Sequence, residues 1–365
     1  MDTKQRNSSF ELLRIITMLI IICHHFADHA GFDYVPTMIS APRYCFNLLW
    51  MGGKVGVNVF VLISGYFLVA EKDQSVFNLR KLIKLWSQMF FYGILIFAVF
   101  SVLREDNGGL LAAVMPLTRN TWWFATVYFV LFLFHPFLNR LLRALDKETY
   151  KKMLIVALVL WSIVSFMMQA DYYLSDLIWF MIPYAVAGYI RLHGLNPKLK
   201  RKHFIIGFVV SALIVYLHTT SIMYRAQTNS ALFNSFRWLC FRQNLPAVFL
   251  ESVCLFMIFE KTEMKYNKWI NRIASTTFGI YLIHDSYPVR NVLWTRIFHV
   301  ADFKNSMLIL PYGLLAMVLI FVTCALIDLL RQFLEKYWMK LVDKCLPGLK
   351  KAFGWVYKVL GKVMG

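Results

Sequence analysis

The sequence predicts an all-α, polytopic membrane protein with about ten transmembrane helices and both termini in the cytoplasm. Its 365 residues are 59% hydrophobic and only 16% charged, whereas about 25% charged is usual for soluble domains. Ten apolar stretches approach the length that spans a bilayer, and short polar segments separate them. Lysine and arginine concentrate on alternate sides of these stretches, which predicts the orientation.

The ten stretches follow one another along the chain without an insertion large enough to be a soluble domain. Their spacing leaves short connections of the kind that join neighbouring membrane helices. They lie at residues 10–27, 55–70, 84–103, 122–140, 153–170, 176–191, 204–218, 245–260, 270–286 and 307–329.

The distribution of positive charge predicts which side each connection faces. With a cytoplasmic N-terminus, the inner segments hold 28 lysines and arginines and the outer segments hold 10, while Arg14 lies within the first stretch. Such an excess marks cytoplasmic loops. The net charge of +19 is explained by this bias and by attraction to anionic membrane lipid. We therefore expect a lipid partner and no nucleic-acid partner.

Two regions are expected along the chain. Residues 1–330 form one membrane domain, because no linker rich in Ser, Pro or Gly divides them. Residues 331–365 interleave bulky apolar side chains with Lys and Arg, which is typical of a basic amphipathic tail on the cytoplasmic membrane surface. Pro347 and Gly348 predict a break within this tail.

The first stretch, LLRIITMLIIICHH at residues 12–25, carries the strongest functional signal. Arg14 and His25 are eleven residues apart, so at about 100° per residue they share one helix face, about 16 Å apart along the axis. The neighbouring His24 points about 100° away from that face. An arginine at a helix centre costs on the order of 2.5 to 3.5 kcal/mol on insertion scales, so intramembrane ionisable residues are functional candidates.

The second stretch, KVGVNVFVLISGYFLV at residues 54–69, contains small residues that permit close helix packing. It also places the polar side chains of Asn58 and Ser64 within the membrane. Packing alone explains these residues as well as function does. If they are functional, we expect them to contact substrate, and either can donate a hydrogen bond to an oxyanion.

The third stretch begins with NLRKLIKLW at residues 78–86, where Arg80, Lys81 and Lys84 are close together. These cations can be ordinary anchors at the cytoplasmic membrane surface. Alternatively, they form a phosphate site together with the amide groups at a helix start.

Aromatic and titratable residues in three further stretches are candidates for substrate binding. Trp122 and Trp123 belong either to an aromatic belt or to a platform on which sugar rings stack. Tyr281, His284 and Asp285 end a late stretch on the same outer side as His25, and Tyr281 is a third possible oxyanion donor. Glu251 is a buried acid that needs a partner, either Arg14 or a histidine. The six scattered cysteines show no metal-ligand spacing, so we expect no metal centre.

In these motifs the sequence resembles membrane acyltransferase family 3, the ten-helix O-acyltransferases that modify bacterial cell-surface glycans. The most specific match is an arginine, ten residues and a histidine in the first helix, which Arg14 and His25 fit. The resemblance extends over about residues 7–330. Weaker matches follow in order, namely GVNVFVLISGYF, LRKLIKLW, TWWF, FMIPYAVAGYI and FGIYLIH.

The resemblance implies transfer of an acyl group, most often acetyl, from cytoplasmic acyl-CoA to a glycan hydroxyl. It makes Arg14 and His25 the essential catalytic pair, and Arg80, Lys81 and Lys84 the basic entrance that binds acetyl-CoA. The implied acceptor is a lipid-linked sugar or an exported polysaccharide, and the implied location is the bacterial plasma (inner) membrane. Neutral His25 then acts as a general base or accepts the acyl group itself.

Some members of that family carry an additional extracellular hydrolase-like domain, which we do not expect in this chain. Acyl transfer then takes place within the membrane domain or with a separate partner protein. The sequence is also compatible with a homo-oligomer.

Two alternatives to an enzyme remain from the sequence. A proton-coupled transporter would use Arg14, His25 and Glu251 as a proton relay, although no internal repeat is evident. A non-catalytic membrane scaffold that hands glycans to other proteins would carry out no acyl transfer.

Overall fold

The computed structural model describes residues 6–29, 40–71, 78–171, 174–229, 231, 232, 235, 240 and 242–364. All regular secondary structure in these residues is helical, as the sequence predicted. The helices are α1 Ser8–Asp28, α2 Ala41–Trp50, α3 Gly53–Leu68, α4 Leu79–Val102, α5 Leu110–Val114, α6 Trp123–Ala144, α7 Lys147–Met168, α8 Asp176–His193, α9 Arg201–Arg225, α10 Pro246–Glu260, α11 Lys268–Ala274, α12 Thr277–His284, α13 Tyr287–Val292 and α14 Ile309–Met364.

Seven helical segments of the described residues are long and apolar enough to cross a membrane. They are Ser8–Asp28, Ala41–Leu68, Leu79–Val102, Trp123–Ala144, Lys147–Met168, Arg201–Arg225 and Ile309–Val356. The other three predicted stretches are also helical, but α10 is only 15 residues long and the region of α11 and α12 is divided. The count of ten spans and the cytoplasmic placement of both termini stay predictions.

The outer faces of the helices carry apolar side chains. Leu213 and Leu217 on α9 are 53% and 54% exposed, and Leu326 and Leu330 on α14 are 58% and 72% exposed. Rows of exposed leucine on long helices are unfavourable in water and are suited to lipid. This arrangement fits a multi-pass membrane protein.

Helix α1 occupies the centre of the molecule. It begins after Asn7, whose side chain accepts a hydrogen bond from the Ser9 amide at 3.0 Å and so satisfies one of the free amides at the helix start. Its sides contact α2, α3, α10, α11, α12 and α14. Because so many helices surround it, polar residues on different faces of α1 meet different environments.

Helix α3 approaches α1 closely because glycines lie between them. A Cβ atom on Gly53 would lie 2.1 Å from Cγ of His24, and one on Gly56 would lie 2.6 Å from Cγ1 of Ile21. Both distances are too short for any larger residue. The sequence prediction that these small residues permit close helix packing is therefore confirmed.

The short helix α12 is held against α14 by a buried polar network. Asp328 on α14 is fully buried and accepts hydrogen bonds from Tyr92 at 2.7 Å, Gln88 at 3.3 Å and Arg331 at 2.7 Å. Gly279 on α12 packs directly against Asp328, since a Cβ there would lie 2.0 Å from Oδ1 of Asp328. The network thus fixes the position of α12 relative to α4 and α14.

Helix α14 continues without interruption through Pro347, so the predicted break near Pro347 and Gly348 is wrong. Proline removes one backbone hydrogen bond, which a helix tolerates with a bend when its neighbours remain helical. The helix also continues across residue 330. Arg331, Met339 and Val342 beyond that point are each 6% exposed, because this part of α14 packs against the membrane domain.

Candidate active site

A cavity of about 560 Å³ lies between helices α1, α3, α4, α6 and α12. Both Arg14 and His25 line it. Their eleven-residue separation corresponds to about 16 Å of helix rise, so the cavity extends along α1 from an Arg14 end to a His25 end. The expectation that these two side chains open into one space therefore agrees with the structure.

Contacts between helix ends place the start of α4 at the Arg14 end. Ser8 at the start of α1 donates a hydrogen bond to Asn271 on α11 at 3.2 Å. The residue after Asn271, Arg272, donates to Gln332 on α14 at 3.2 Å. Lys84 on α4 forms an ion pair with Glu335, also on α14, at 3.2 Å. The predicted basic entrance and Arg14 thus lie at the same end.

The three predicted cations of α4 do not have the same environment. Lys81 and Lys84 line the cavity. Arg80 does not, because its guanidinium forms a two-point ion pair with Asp343 on α14, with bonds of 2.6 and 3.1 Å. Arg80 therefore lies outside the cavity lining, and its place in the acetyl-CoA site stays a prediction.

At the other end, the imidazole of His25 is in contact with a second histidine. Nδ1 of His25 lies 2.9 Å from Nε2 of His284, within hydrogen-bond distance. The other ring nitrogen of His284, Nδ1, lies 2.6 Å from the Ile280 carbonyl oxygen. His284 itself is 0% exposed and does not line the cavity. It is enclosed between α1 and α12, which corrects its predicted role in contacting substrate.

Asp285, the residue that follows His284, lies beside the same imidazole. Its Oδ1 atom is 3.7 Å from Nδ1 of His25 and 3.4 Å from Nε2 of His29. Donor atoms of these three side chains lie within 4.8 Å of one another, so they are able to hold a metal ion. Sequence spacing does not reveal the group, because Asp285 comes from a distant part of the chain. The expectation of no metal centre stays a prediction.

The adjacent His24 also borders the cavity, but its ring has a different partner. Its Nδ1 atom lies 2.5 Å from the Trp50 carbonyl oxygen at the end of α2. A carbonyl oxygen accepts only, so His24 donates from Nδ1 and ties α1 to α2.

The hydroxyl of Tyr281 is the best-placed candidate oxyanion donor. Tyr281 lines the cavity and is 5% exposed. Its oxygen is near Asp285 and the backbone of Phe124 but has no hydrogen bond of normal geometry among the described residues. A buried hydroxyl without a partner is unfavourable by about 1 to 3 kcal/mol, and an arriving substrate oxygen would relieve this cost.

Ser64 lines the cavity as well, but its hydrogen is already used. Its Oγ donates to the Phe60 carbonyl at 2.9 Å, within the same helix, and lies 3.1 Å from the Tyr128 hydroxyl. Tyr128 also lines the cavity. The sequence does not single out Tyr128, because one tyrosine in the aromatic-rich α6 carries no distinguishing signal.

Asn58 is a structural residue and not an oxyanion donor, which corrects the prediction. It is fully buried and absent from the cavity lining. Its amide nitrogen donates to the Gln243 carbonyl at 2.9 Å and to Ser252 Oγ at 3.2 Å, while its oxygen accepts from the Trp179 indole at 2.9 Å. All of its principal hydrogen-bonding capacity is therefore used between helices.

The two adjacent tryptophans lie in different environments. Trp123 lines the cavity and has the ammonium group of Lys54 5.2 Å from its ring centroid. Trp122 is 2% exposed and donates from its indole nitrogen to the Leu282 carbonyl on α12 at 3.0 Å. A buried ring cannot stack on a sugar, so the predicted platform is wrong for Trp122 and stays a prediction for Trp123.

Glu251 does not line the cavity and makes no contact with Arg14 or a histidine among the described residues. It is 5% exposed on α10, and its Oε2 atom has no hydrogen bond in the described part of the chain. Arg14 instead faces Glu11, one turn earlier, at 3.8 Å. The predicted substrate contact of Glu251 is therefore wrong, and the proton relay of the transporter alternative has no support.

Three further polar residues of the lining, two of them charged, are not predicted from the sequence. Lys54 and Arg290 lie at the His25 end, and Gln88 lies near Lys84. Lys54 and Arg290 occur near helix ends, where charged residues are common, and Gln88 lies within α4, so position in the sequence alone does not distinguish any of them.

Comparison with known proteins identifies the family of this chain. The model of an acyltransferase domain, that of acyltransferase family 3, matches residues 7–329. No curated protein and no solved structure is significantly similar to the chain. The matched region includes every helix that lines the cavity and the start of α14. Since the match covers most of the 365 residues, this chain belongs to membrane acyltransferase family 3.

Proposed function

We propose that the protein transfers an acetyl group from acetyl-CoA to a hydroxyl of a cell-surface or lipid-linked glycan in the bacterial inner membrane. The observation that carries this proposal is the single cavity lined by Arg14 and His25. Family membership supports an acyltransferase, and the cavity supplies the space in which donor and acceptor meet.

The Arg14 end suits the phosphates of coenzyme A. Arg6, Arg14, Lys81 and Lys84 all line it. Two of these cations are paired with exchangeable carboxylates, Lys81 with Glu71 at 2.6 Å and Lys84 with Glu335 at 3.2 Å. Phosphate oxygens can replace carboxylates as partners of lysine and arginine.

The length of the cavity suits the donor as well. From Arg14 to His25 the helix rises about 16 Å, which is similar to the reach of an extended pantetheine arm. Phosphates held at the Arg14 end therefore present the thioester carbonyl beside His25. The acceptor hydroxyl then reaches the His25 end of the cavity, where Trp123, Lys54 and Arg290 belong to the lining.

The reaction then follows from the groups around His25. The imidazole takes the proton of the acceptor hydroxyl, and the oxygen attacks the thioester carbonyl carbon. The Tyr281 hydroxyl donates to the carbonyl oxygen as it becomes negative. The C–S bond breaks, the ester is formed, and the proton passes from His25 to the coenzyme A thiolate.

Labelled acetyl-CoA tests this function directly. The purified protein in nanodiscs is mixed with the lipid-linked glycan fraction of its host membranes, and transfer of label to glycan is measured. Wild-type protein is expected to label glycan, and His25→Ala to lose at least about 10² of the rate, since a general base contributes about 10² to 10⁴.

The control is His135→Ala, because His135 is a buried histidine outside the cavity lining. Full transfer by His25→Ala would remove His25 from the mechanism. Absence of label in the wild type, together with movement of a solute across sealed vesicles, would favour a transporter.

A further inference from the structure

The hydrogen-bond partners around His284 determine which of its ring nitrogens carries hydrogen. Its Nδ1 atom lies 2.6 Å from the Ile280 carbonyl oxygen. A carbonyl oxygen only accepts, so Nδ1 of His284 is the donor in this bond. Neutral imidazole carries one N–H, which leaves Nε2 of His284 as an acceptor.

His284 is held in the neutral form by its surroundings. Its side chain is 0% exposed, and no carboxylate lies within hydrogen-bond distance of its Nε2 atom among the described residues, because that atom faces His25. Burial without a bonded counter-charge disfavours an imidazolium. The charged and titratable groups nearby are His24, His25, His29, Asp285 and Arg290.

The state of His284 dictates the state of His25. Nδ1 of His25 lies 2.9 Å from the accepting Nε2 of His284, so Nδ1 of His25 must donate. Neutral His25 then has its lone pair on Nε2, the nitrogen that this bond leaves free for the cavity. The competing partner, Asp285, is 3.7 Å from Nδ1 of His25, which is beyond a normal hydrogen bond.

We propose that His284 is a positioning residue that holds His25 in the tautomer whose free Nε2 acts as the base. Two hydrogen bonds form a chain that leads away from the cavity. Nδ1–H of His25 donates to Nε2 of His284, and Nδ1–H of His284 donates to the Ile280 carbonyl oxygen. This inference rests on the proposed function, in which His25 removes the proton of the acceptor hydroxyl.

The arrangement also accounts for the return of the proton. When His25 accepts a proton on Nε2, its Nδ1–H remains bonded to the lone pair of His284, so the new positive charge keeps a partner. That partner is neutral, and it stabilises the imidazolium less than a directly bonded carboxylate would. His25 therefore releases the proton to the departing thiolate more readily.

Two substitutions at the same position test the proposal. His284→Phe keeps a planar ring but removes the acceptor, whereas His284→Gln restores an acceptor oxygen near the position of Nε2. We expect kcat to fall by about 10² or more in His284→Phe, as loss of a correct tautomer does in other enzymes. His284→Gln is expected to recover most of that loss, and the KM for acetyl-CoA is expected to stay within about twofold in both variants.

The matched control is His135→Phe. His135 is also buried, and its Nδ1 atom also lies 2.5 Å from a carbonyl oxygen of its own helix, that of Phe132. It does not line the cavity. This variant is expected to retain wild-type kcat, which separates loss of a buried histidine from loss of the bond to His25.

Nitrogen NMR of the protein with labelled histidine reports which ring nitrogen of His25 carries hydrogen, and it does so in the wild-type protein. The His25 signals are identified by their disappearance in His25→Gln. They are expected to show hydrogen on Nδ1 in the wild type and a shift toward Nε2 hydrogen in His284→Phe.

Different results would overturn the proposed function and the positioning role of His284. Absence of acyl transfer by the wild-type protein would overturn the proposed function, whereas transfer by His25→Ala would remove His25 from the mechanism. If His25→Ala is inactive while His284→Phe has wild-type kcat, only the positioning role is overturned. Hydrogen on Nε2 of His25 in the wild-type spectrum would also overturn it, whatever the kinetics of the His284 variants.

Discussion

At the scale of single residues, the two adjacent histidines show how neighbours in sequence acquire different roles. His24 and His25 point about 100° apart on one helix. His24 bonds to the Trp50 carbonyl and packs on Gly53, whereas His25 bonds to His284 and faces the cavity. One histidine therefore holds helices together, and the other is available for chemistry.

Asn58 provides a test of a structural role at the same scale. Asn58→Ala leaves the Trp179 indole and the Gln243 carbonyl without their partner, at a cost of about 1 to 3 kcal/mol for each buried group. We expect a clearly lower Tm, measured by thermal unfolding in detergent, with near wild-type kcat at temperatures where the protein is folded.

Ser64→Ala is the comparison for Asn58→Ala, because Ser64 bonds mainly within its own helix and we expect a smaller loss of Tm. If Asn58→Ala abolished acyl transfer without lowering Tm, Asn58 would belong to the catalytic machinery after all.

At the scale of helices, the position of α12 determines where several residues of the candidate site lie. This eight-residue helix carries Tyr281 and His284 and is followed directly by Asp285. Trp122 bonds to its Leu282 carbonyl from one side, and Gly279 packs on Asp328 from another. The residues that hold α12 are thus as important for the site as those that line it.

Gly279→Ala tests whether packing against Asp328 sets the position of α12. The added methyl group would lie 2.0 Å from Oδ1 of the fully buried Asp328. Overpacking of this kind costs about 1 to 3 kcal/mol, and any shift of α12 displaces Tyr281 and His284. We expect both a lower Tm and a lower kcat, measured on the same preparation.

Gly348→Ala is the control for a glycine within a helix. No atom of the described residues lies within 4 Å of a Cβ at that position, and alanine is favoured over glycine by about 1 kcal/mol in a helix interior. Its Tm and kcat are expected to be unchanged or slightly higher. Equal effects of the two substitutions would contradict a specific role for the contact with Asp328.

At the scale of the whole molecule, the cavity joins two ends with different chemistry. The Arg14 end collects cations from α1 and α4, and the His25 end collects histidines from α1 with Tyr281 and Asp285. Helix α14 contacts α1, α4 and α12 and supplies Glu335, which pairs with both Lys84 and Arg331. In the proposed function, donor binding and proton transfer are therefore separated by about 16 Å, roughly half the thickness of a membrane.

This separation predicts that the two ends affect different kinetic constants. In the double variant Lys81→Ala/Lys84→Ala, we expect the KM for acetyl-CoA to rise about tenfold or more, because two partners of its phosphates are lost. The value of kcat is expected to change little, because His25 and Tyr281 are unaffected. Steady-state kinetics with acetyl-CoA as the varied substrate measures both constants.

Arg80→Ala is the matched control for that variant, since Arg80 is a cation on the same turn of α4 that pairs with Asp343 away from the cavity. Its KM is expected to stay near the wild-type value. An equal rise in KM for Arg80→Ala would show that general positive charge, and not the cavity, attracts the donor.

The sequence by itself determined the features that depend on local geometry. The helical fold follows from long apolar stretches, and the common face of Arg14 and His25 follows from their spacing on one helix. The order of motifs also identified the acyltransferase family, which the match over residues 7–329 confirms. These features need no knowledge of how one helix is rotated against another.

Only the tertiary structure decided which polar side chains reach the cavity. Asn58 and Ser64 lie on the same helix, yet one bonds between helices and the other faces the cavity. Trp122 likewise bonds between helices while Trp123 lines the cavity. Glu251 is buried on α10, outside the cavity lining. The physical reason is that burial depends on the rotation and close approach of neighbouring helices, set by contacts such as Gly53 with His24 and Gly279 with Asp328.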